Sequence, residues 1–368
     1  MRGETTAAKT GDGGWVAPRD RRLLSLILAS VAAVVAAGFV QVWFGSYEMT
    51  FSQTYRVLTN PDIVFNARLW GAFLFGGDLP DWLSTEAVIV WNLRLPRVVV
   101  GILVGVNLAV SGAVFQAVTR NELASPYILG VSGGAGLAVL LAIAFAASAS
   151  VVLPFAAAAG GALAFVLVYV IAWKGGTSPV RLVLAGVIVA TVFQSLQTGL
   201  FYFLDSTAAV KTAVQWTSGS LLGVDWAQVR LAVLPTLVVT PLIVLASRHL
   251  NVLLLGEQTA RALGMSVERM RFGLSALAIL AASTAVAVAG LVGFVGLIVP
   301  HAVRTVVGSD YKRLVLGSMF VGPALVVVAD AVARLALPVQ LPVGIVTGVL
   351  GGPYFLYLMR RKQNVGDI

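Results

Sequence analysis

The chain has 368 residues, of which 58% are hydrophobic and only 11% charged, with a formal net charge of +9, 38 glycines and no cysteine. A soluble domain carries about a quarter charged residues, and a soluble chain this apolar would aggregate, so the bilayer is the solvent that fits. Disulfides, thiolate metal sites and a cysteine nucleophile are excluded. His249 and His301 lack the spacing of a helical zinc pair, and the basic residues punctuate apolar runs instead of forming one nucleic-acid-binding patch.

Residues 1–22 open the chain as a polar segment, Gly-rich over 1–18, expected to be disordered and cytoplasmic. A transmembrane domain is expected over 23–360. A bilayer core takes about 20 apolar residues per helix, and ten segments qualify: 23–43, 98–118, 127–147, 151–173, 182–204, 229–247, 272–291, 293–306, 314–336 and 342–359. Arg19, Arg21 and Arg22 before the first run would also suit a signal peptide. The run is long for one and has no small-x-small cleavage site, so an uncleaved span is the reading adopted. Residues 44–97, with Trp70, Gly76, Gly77, Pro80 and Trp82, read as a long outer loop, and 205–228 as a second. The 248–271 stretch reads as the longest cytoplasmic connection, and 361–368 as a cytoplasmic tail. The short eighth segment contains Pro300 and reads as a broken helix lining a cavity, because irregular backbone cannot face lipid. Most Lys and Arg residues fall on one side if both termini are cytoplasmic, as the positive-inside rule asks. Leu108–Phe115 and Val286–Phe294 form a weak internal repeat; chance similarity in a Gly/Ala/Val-rich chain is the competing reading.

No nucleotide-binding motif occurs; Lys174-Gly175-Gly176-Thr177 lacks the upstream glycine and the residue order of a phosphate-binding loop. Nor is there a G-x-S-x-G elbow, a catalytic constellation or a metal-ligand cluster. Asp330 is the clearest intramembrane acid, and Arg334, four residues on, is its expected partner. With so little buried charge, coupling energy has to enter from outside the chain. The 248–271 stretch reads as a short interfacial helix with Leu255, Ala262, Leu263 and Met270 on one face and Glu257 near its N-terminus. It is either a coupling element or a structural surface helix. Gln194, Ser195, Gln197 and Thr198 form a polar cluster in the fifth span; a solute path is favoured over helix–helix hydrogen bonding. The pairs Gly101/Gly105, Gly130/Gly134 and Gly344/Gly348 read as close-packing positions.

Six ordered stretches then carry a resemblance over residues 90–360: Leu93-Arg94-Leu95-Pro96-Arg97, Ser111–Gln116, Leu129–Gly136, Leu184–Val187, Gly293–His301 and Leu341–Thr347. Together they resemble the FecCD-type permeases of ABC importers for iron–siderophores, haem and cobalamin. The resemblance implies an all-α fold of about ten transmembrane helices per subunit, with pseudo-repeated halves and a path at a homodimer interface. It implies two partner ATP-binding cassette subunits that use ATP and Mg, an extracytoplasmic substrate-binding protein, and no cofactor or metal held by this chain. Gly256, Glu257, Ala260, Arg261, Ala262, Leu263 and Gly264 then match the helix that docks into the ATPase. Arg94, Arg97 and Arg334 match positions that meet carboxylates on the binding protein, headgroup anchoring being the plainer reading of the first two. Asn121 and Leu123 match the cytoplasmic gate, where Glu122 stands in place of the family's usual proline. The implied activity is passage of an iron(III)–siderophore-type chelate across the cell membrane. A cobalamin or haem permease is the alternative, and an ion-coupled secondary transporter the alternative from another class.

Overall fold

The computed structural model describes residues 18–45, 47–145, 152–204, 206–336 and 340–363. The expected disordered segment therefore lies outside the described residues up to 17, and the tail from 364 onward. Residues 18–22 already belong to the first helix and 361–363 to the last, so both domain bounds move outward.

In chain order the helices are α1 (Pro18–Trp43), α2 (Phe51–Leu58), α3 (Pro61–Val64), α4 (Ala67–Phe75), α5 (Thr85–Val88) and α6 (Leu95–Val118). They continue as α7 (Val131–Phe145), α8 (Val152–Ala172), α9 (Pro179–Leu200), α10 (Thr207–Ser218), α11 (Trp226–Leu254) and α12 (Glu257–Ala262). The last four are α13 (Val267–Ala289), α14 (Val295–Val307), α15 (Tyr311–Leu335) and α16 (Val343–Gln363). Among the described residues, 7 helices are long and apolar enough to cross a membrane, and Val131–Phe145, Val295–Val307 and Val343–Leu356 are shorter apolar helices. The ten expected spans correspond to these ten elements.

The outer loop expected over 44–97 is not a loop. A π-helical turn (Ile89–Arg94) joins α5 to α6, so Thr85–Val118 is one 34-residue rod. Before it, α2 is closed by a Thr50/Gln53 capping box, and α3 and α4 are capped by Asn60 and Asn66. An aromatic cluster pins them down: Trp70 lies edge-on to Trp91 at 5.6 Å, and Phe73 stacks on Trp226 at 5.2 Å. Each indole finds an acceptor, Trp70 on the Val64 carbonyl, Trp91 on Val57 and Trp226 on Trp91. The 205–228 stretch likewise contains a helix, α10, ended by Gly219. The 248–271 connection shrinks to 255–266, because α11 runs on to Leu254 and α13 begins at Val267.

Helix α6 is the axis of the bundle. It is buried along most of its length and packs against α11, α13, α14 and α15. Lipid supplies no hydrophobic drive between spans, so small residues and hydrogen bonds hold them. Gly101 and Gly105 lie against α15, where Gly105 meets the Gly322 carbonyl. Asn107 donates to Thr236 Oγ1 of α11 at 2.6 Å, Ser111 to the Ala278 carbonyl of α13 at 2.7 Å, and Gln116 to the Leu297 carbonyl of α14 at 3.3 Å. The other glycine expectations divide. Gly134 packs on Gly160 of α8 and Gly344 on the Ser218 carbonyl, but Gly348 touches nothing within 4 Å and Gly130 serves a turn at φ +78°. The repeat is not mirrored locally either: Leu108–Phe115 is mid-helix, whereas 286–294 crosses the end of α13 at Gly290 (φ +67°).

Because α6 has 24 residues, Arg97 at its start and the turn after Val118 lie roughly 35 Å apart. These mark two ends of the bundle, an arginine end and a loop end.

Candidate functional site

At the arginine end, Arg94, Arg97 and Arg334 line one cavity of about 420 Å³, together with Tyr47, Asp225 and Gln340. The three side chains are nonetheless already engaged. Arg94 closes α1: Nη1 donates to the carbonyls of Val42 (2.7 Å) and Trp43 (2.8 Å), and Nη2 to Tyr47 (2.6 Å). A cation at a helix C-terminus satisfies orphan carbonyls and opposes the negative dipole end. Arg97 forks onto Asp330 through Nε and Nη2, both at 2.8 Å, and donates from Nη1 to Gln340 at 3.1 Å.

This corrects the expected Asp330–Arg334 pair. Asp330 is fully buried and faces α6, where a planar guanidinium can meet both its oxygens. Arg334 turns to α1 and donates from Nη1 to the Gln41 carbonyl at 2.7 Å, leaving its Nε buried without a hydrogen-bond partner. Three guanidiniums thus face two carboxylates, the buried Asp330 and the exposed Asp225, which leaves the cavity with a small excess of positive charge.

At the loop end, α12 is held between Gly256 (φ +107°) and Gly264 (φ +80°). Nothing lies within 4 Å of Gly264 where a Cβ would be, so backbone conformation and not space calls for glycine there. Ala260 is the buried residue of α12, while Arg261, Ala262 and Leu263 are exposed. Of the apolar face expected here, Leu255, Ala262 and Leu263 are exposed but Met270 packs inward. Glu257 does not merely sit at a helix start: Oε1 accepts from Arg271 Nη2 at 2.7 Å, and Oε2 lies 3.7 Å from Arg261.

Asn121 and Leu123 sit in the turn between α6 and α7. Asn121 Oδ1 accepts from the Leu123 amide at 3.0 Å, a side-chain-closed turn, and Leu123 is exposed. Arg120 (φ +49°) ties this turn to α11 by donating to the Leu253 carbonyl at 3.1 Å. Burial pushes the Tyr127 phenol in the same turn well above its ordinary pKa, so it stays neutral. Glu122, where the resemblance leads one to expect a proline, lies 3.5 Å from Arg304 Nη1, and Arg304 Nη2 is also bonded to Gln116 (3.0 Å) and Tyr311 (3.1 Å). The Glu122 side chain is 40% exposed, so the pair is partly screened by solvent and Glu122→Ala is expected to cost about 1 kcal/mol in thermal unfolding of the purified chain. A loss above about 2 kcal/mol would show that the pair holds the turn as tightly as a proline would.

The polar cluster of the fifth span splits. Gln197 is buried against α7 and donates to the Gly133 carbonyl at 2.9 Å. Gln194, Ser195 and Thr198 remain on the exposed side with Thr191, and Ser195 and Thr198 bond only to carbonyls one turn back. Positions 191, 195 and 198 share one face of a helix. Sequence reasoning missed Arg271 and Glu268; only their i,i+3 spacing hinted at a pair, and their further partners are remote in sequence.

The 7 long apolar helices, the three shorter ones and the exposed polar line on α9 describe a multi-pass membrane protein. Residues 31–361 match the FecCD transport family, and the chain belongs to that family. It is 41% identical over 290 residues to the iron(3+)-hydroxamate import system permease protein FhuG of Bacillus subtilis, covering 76% of this chain and 86% of that protein. It is 44% identical over 282 residues to the cobalamin import system permease protein BtuC of Halobacterium salinarum, covering 76% and 75%. Among solved structures, a metal-chelate type ABC transporter in an inward-facing conformation matches with a TM-score of 0.78 at 27% identity, covering 92% of this chain and 99% of that one. The chain is thus a permease of the ABC importer class.

Proposed function

We propose that the chain forms, as a homodimer, the path for an iron(III)–siderophore-type chelate in the cell membrane. Both termini are cytoplasmic in this reading, two separate ATPase subunits supply the energy from ATP and Mg, and an extracytoplasmic binding protein delivers the substrate. The observation that carries it is the exposed line Thr191, Gln194, Ser195 and Thr198 on an otherwise apolar span. Hydroxyls and amides facing lipid are costly, whereas the same groups facing a water-filled path between two copies suit an oxygen-rich chelate. Gln197, bonded to α7, positions α9 and leaves the path lining to those four.

The exposed leucines beside α12, Leu255 and Leu263, support an ATPase dock at the loop end. The electropositive cavity at the other end supports docking of binding-protein carboxylates, with Arg334 the least committed of the three guanidiniums. Ion-coupled transport finds less support, because Asp330, the clearest intramembrane acid, is already paired with Arg97. A cobalamin substrate is the second reading, favoured by the 44% identity to the Halobacterium salinarum permease.

Leu263→Asp tests the dock. It places a charge in the apolar contact without touching the bundle core, so the chain should still fold while co-purification of ATPase subunits falls at least about tenfold. Undiminished co-purification would remove the dock from this face.

A further inference from the structure

Arg271 is almost completely buried at the loop end, near the start of α13. Its Nη1 donates to the Thr177 carbonyl at 2.5 Å, to Thr177 Oγ1 at 3.2 Å and to Glu268 at 3.2 Å. Its Nη2 donates to Glu257 of α12 at 2.7 Å. Glu268 completes the ring by accepting from the Thr177 amide at 3.2 Å and from Thr177 Oγ1 at 2.9 Å. Thr177 immediately precedes Ser178, the N-cap of α9, and Arg181 in the first turn of α9 donates back to the Gly176 carbonyl at 2.9 Å. The chain reverses there through Gly175 (φ +65°) and Gly176 (φ +131°). One guanidinium therefore joins three segments: α12, the start of α13, and the connection that begins α9.

A surface ion pair would transmit little, being weak and easily re-solvated. A buried, multiply bonded guanidinium is different, because moving one partner leaves a buried charge short of bonds unless the others follow. We propose that Arg271 is a positioning residue that hands displacement of α12 to α9, and so to the line Thr191, Ser195 and Thr198. This rests on α12 being the ATPase dock. Hydrogen-bond and ion-pair networks of this kind are one physical route by which coupling passes between sites.

The test uses the full complex of permease, ATPase subunits and binding protein in liposomes, with ferric hydroxamate as substrate. It reads substrate imported per ATP hydrolysed, beside the thermal midpoint of the same preparation. Arg271→Gln is expected to lower the ratio about tenfold, a coupling of ordinary size, with ATPase subunits still bound. Arg271→Lys, which keeps the charge, should recover part of it. Thr177→Val, close to isosteric, should lower the ratio about threefold, and add nothing on top of Arg271→Gln because both act through one network. A lowered midpoint with the wild-type ratio in Arg271→Gln would make the network merely structural and overturn the proposal. If Arg271→Gln does not fold, Thr177→Val decides, and an unchanged ratio overturns it. A wild-type chain that binds no ATPase subunit would instead overturn the proposed function, and this inference with it.

Discussion

Asp330→Ala is expected to destabilise the protein by about 3–5 kcal/mol, the usual cost of stranding one member of a buried ion pair. Arg97 would keep only its 3.1 Å bond to Gln340 and two charge-assisted bonds to Asp330 would vanish. It is 7% exposed, so water from the cavity it lines can replace the carboxylate only in part unless the contact between α6 and α15 opens. The double replacement Arg97→Leu with Asp330→Leu should lie within about 1 kcal/mol of wild type, since removing both charges removes the desolvation cost as well. Asp330→Asn, which keeps an acceptor, should fall between. Unfolding of the detergent-purified variants checks this. A double variant as unstable as the single would mean that the pair itself, and not a stranded charge, carries the stability.

Gly112→Val is expected to be at least as damaging, at more than about 3 kcal/mol. A Cβ on Gly112 would overlap the Gly296 carbonyl and stand 2.6 Å from Gly296 Cα. Both obstacles are backbone, so no rotamer change can make room, and α6 and α14 would have to separate. The Gln116 bond to the Leu297 carbonyl crosses the same seam and would be lost with it. Gly348→Ala is the control: nothing lies within 4 Å, so the change should be neutral or gain up to about 1 kcal/mol of helix propensity. Monodispersity and thermal midpoint separate the two. A stable Gly112→Val protein would show that the crossing is looser than the 2.6 Å approach implies.

The long apolar spans were legible because length and hydropathy are properties of a continuous stretch. Even the short α14 was marked by Pro300. Residues 47–84 were not legible: helices of 8, 4 and 9 residues are too short for periodicity to separate from a polar loop. What assembles them is Trp70, Phe73, Trp91 and Trp226, brought together from distant positions. The Asp330 partner was misread for a related reason. Sequence offers the neighbour at i+4, whereas the observed partner, Arg97, is 233 positions away. Ser195 and Gln197 are two apart, and two positions on a helix point to different faces; grouping them in one lining set overlooked this. The Arg271 network carried no local mark beyond Glu268 three residues before it.

Uptake of radiolabelled ferric hydroxamate into liposomes containing the chain, with and without the ATPase subunits and ATP, tests the import mechanism most directly. Accumulation that requires the ATPase, ATP and the binding protein together, and that ignores a proton or sodium gradient, is the predicted result. Accumulation by the chain alone under an ion gradient, with no ATPase present, would contradict it.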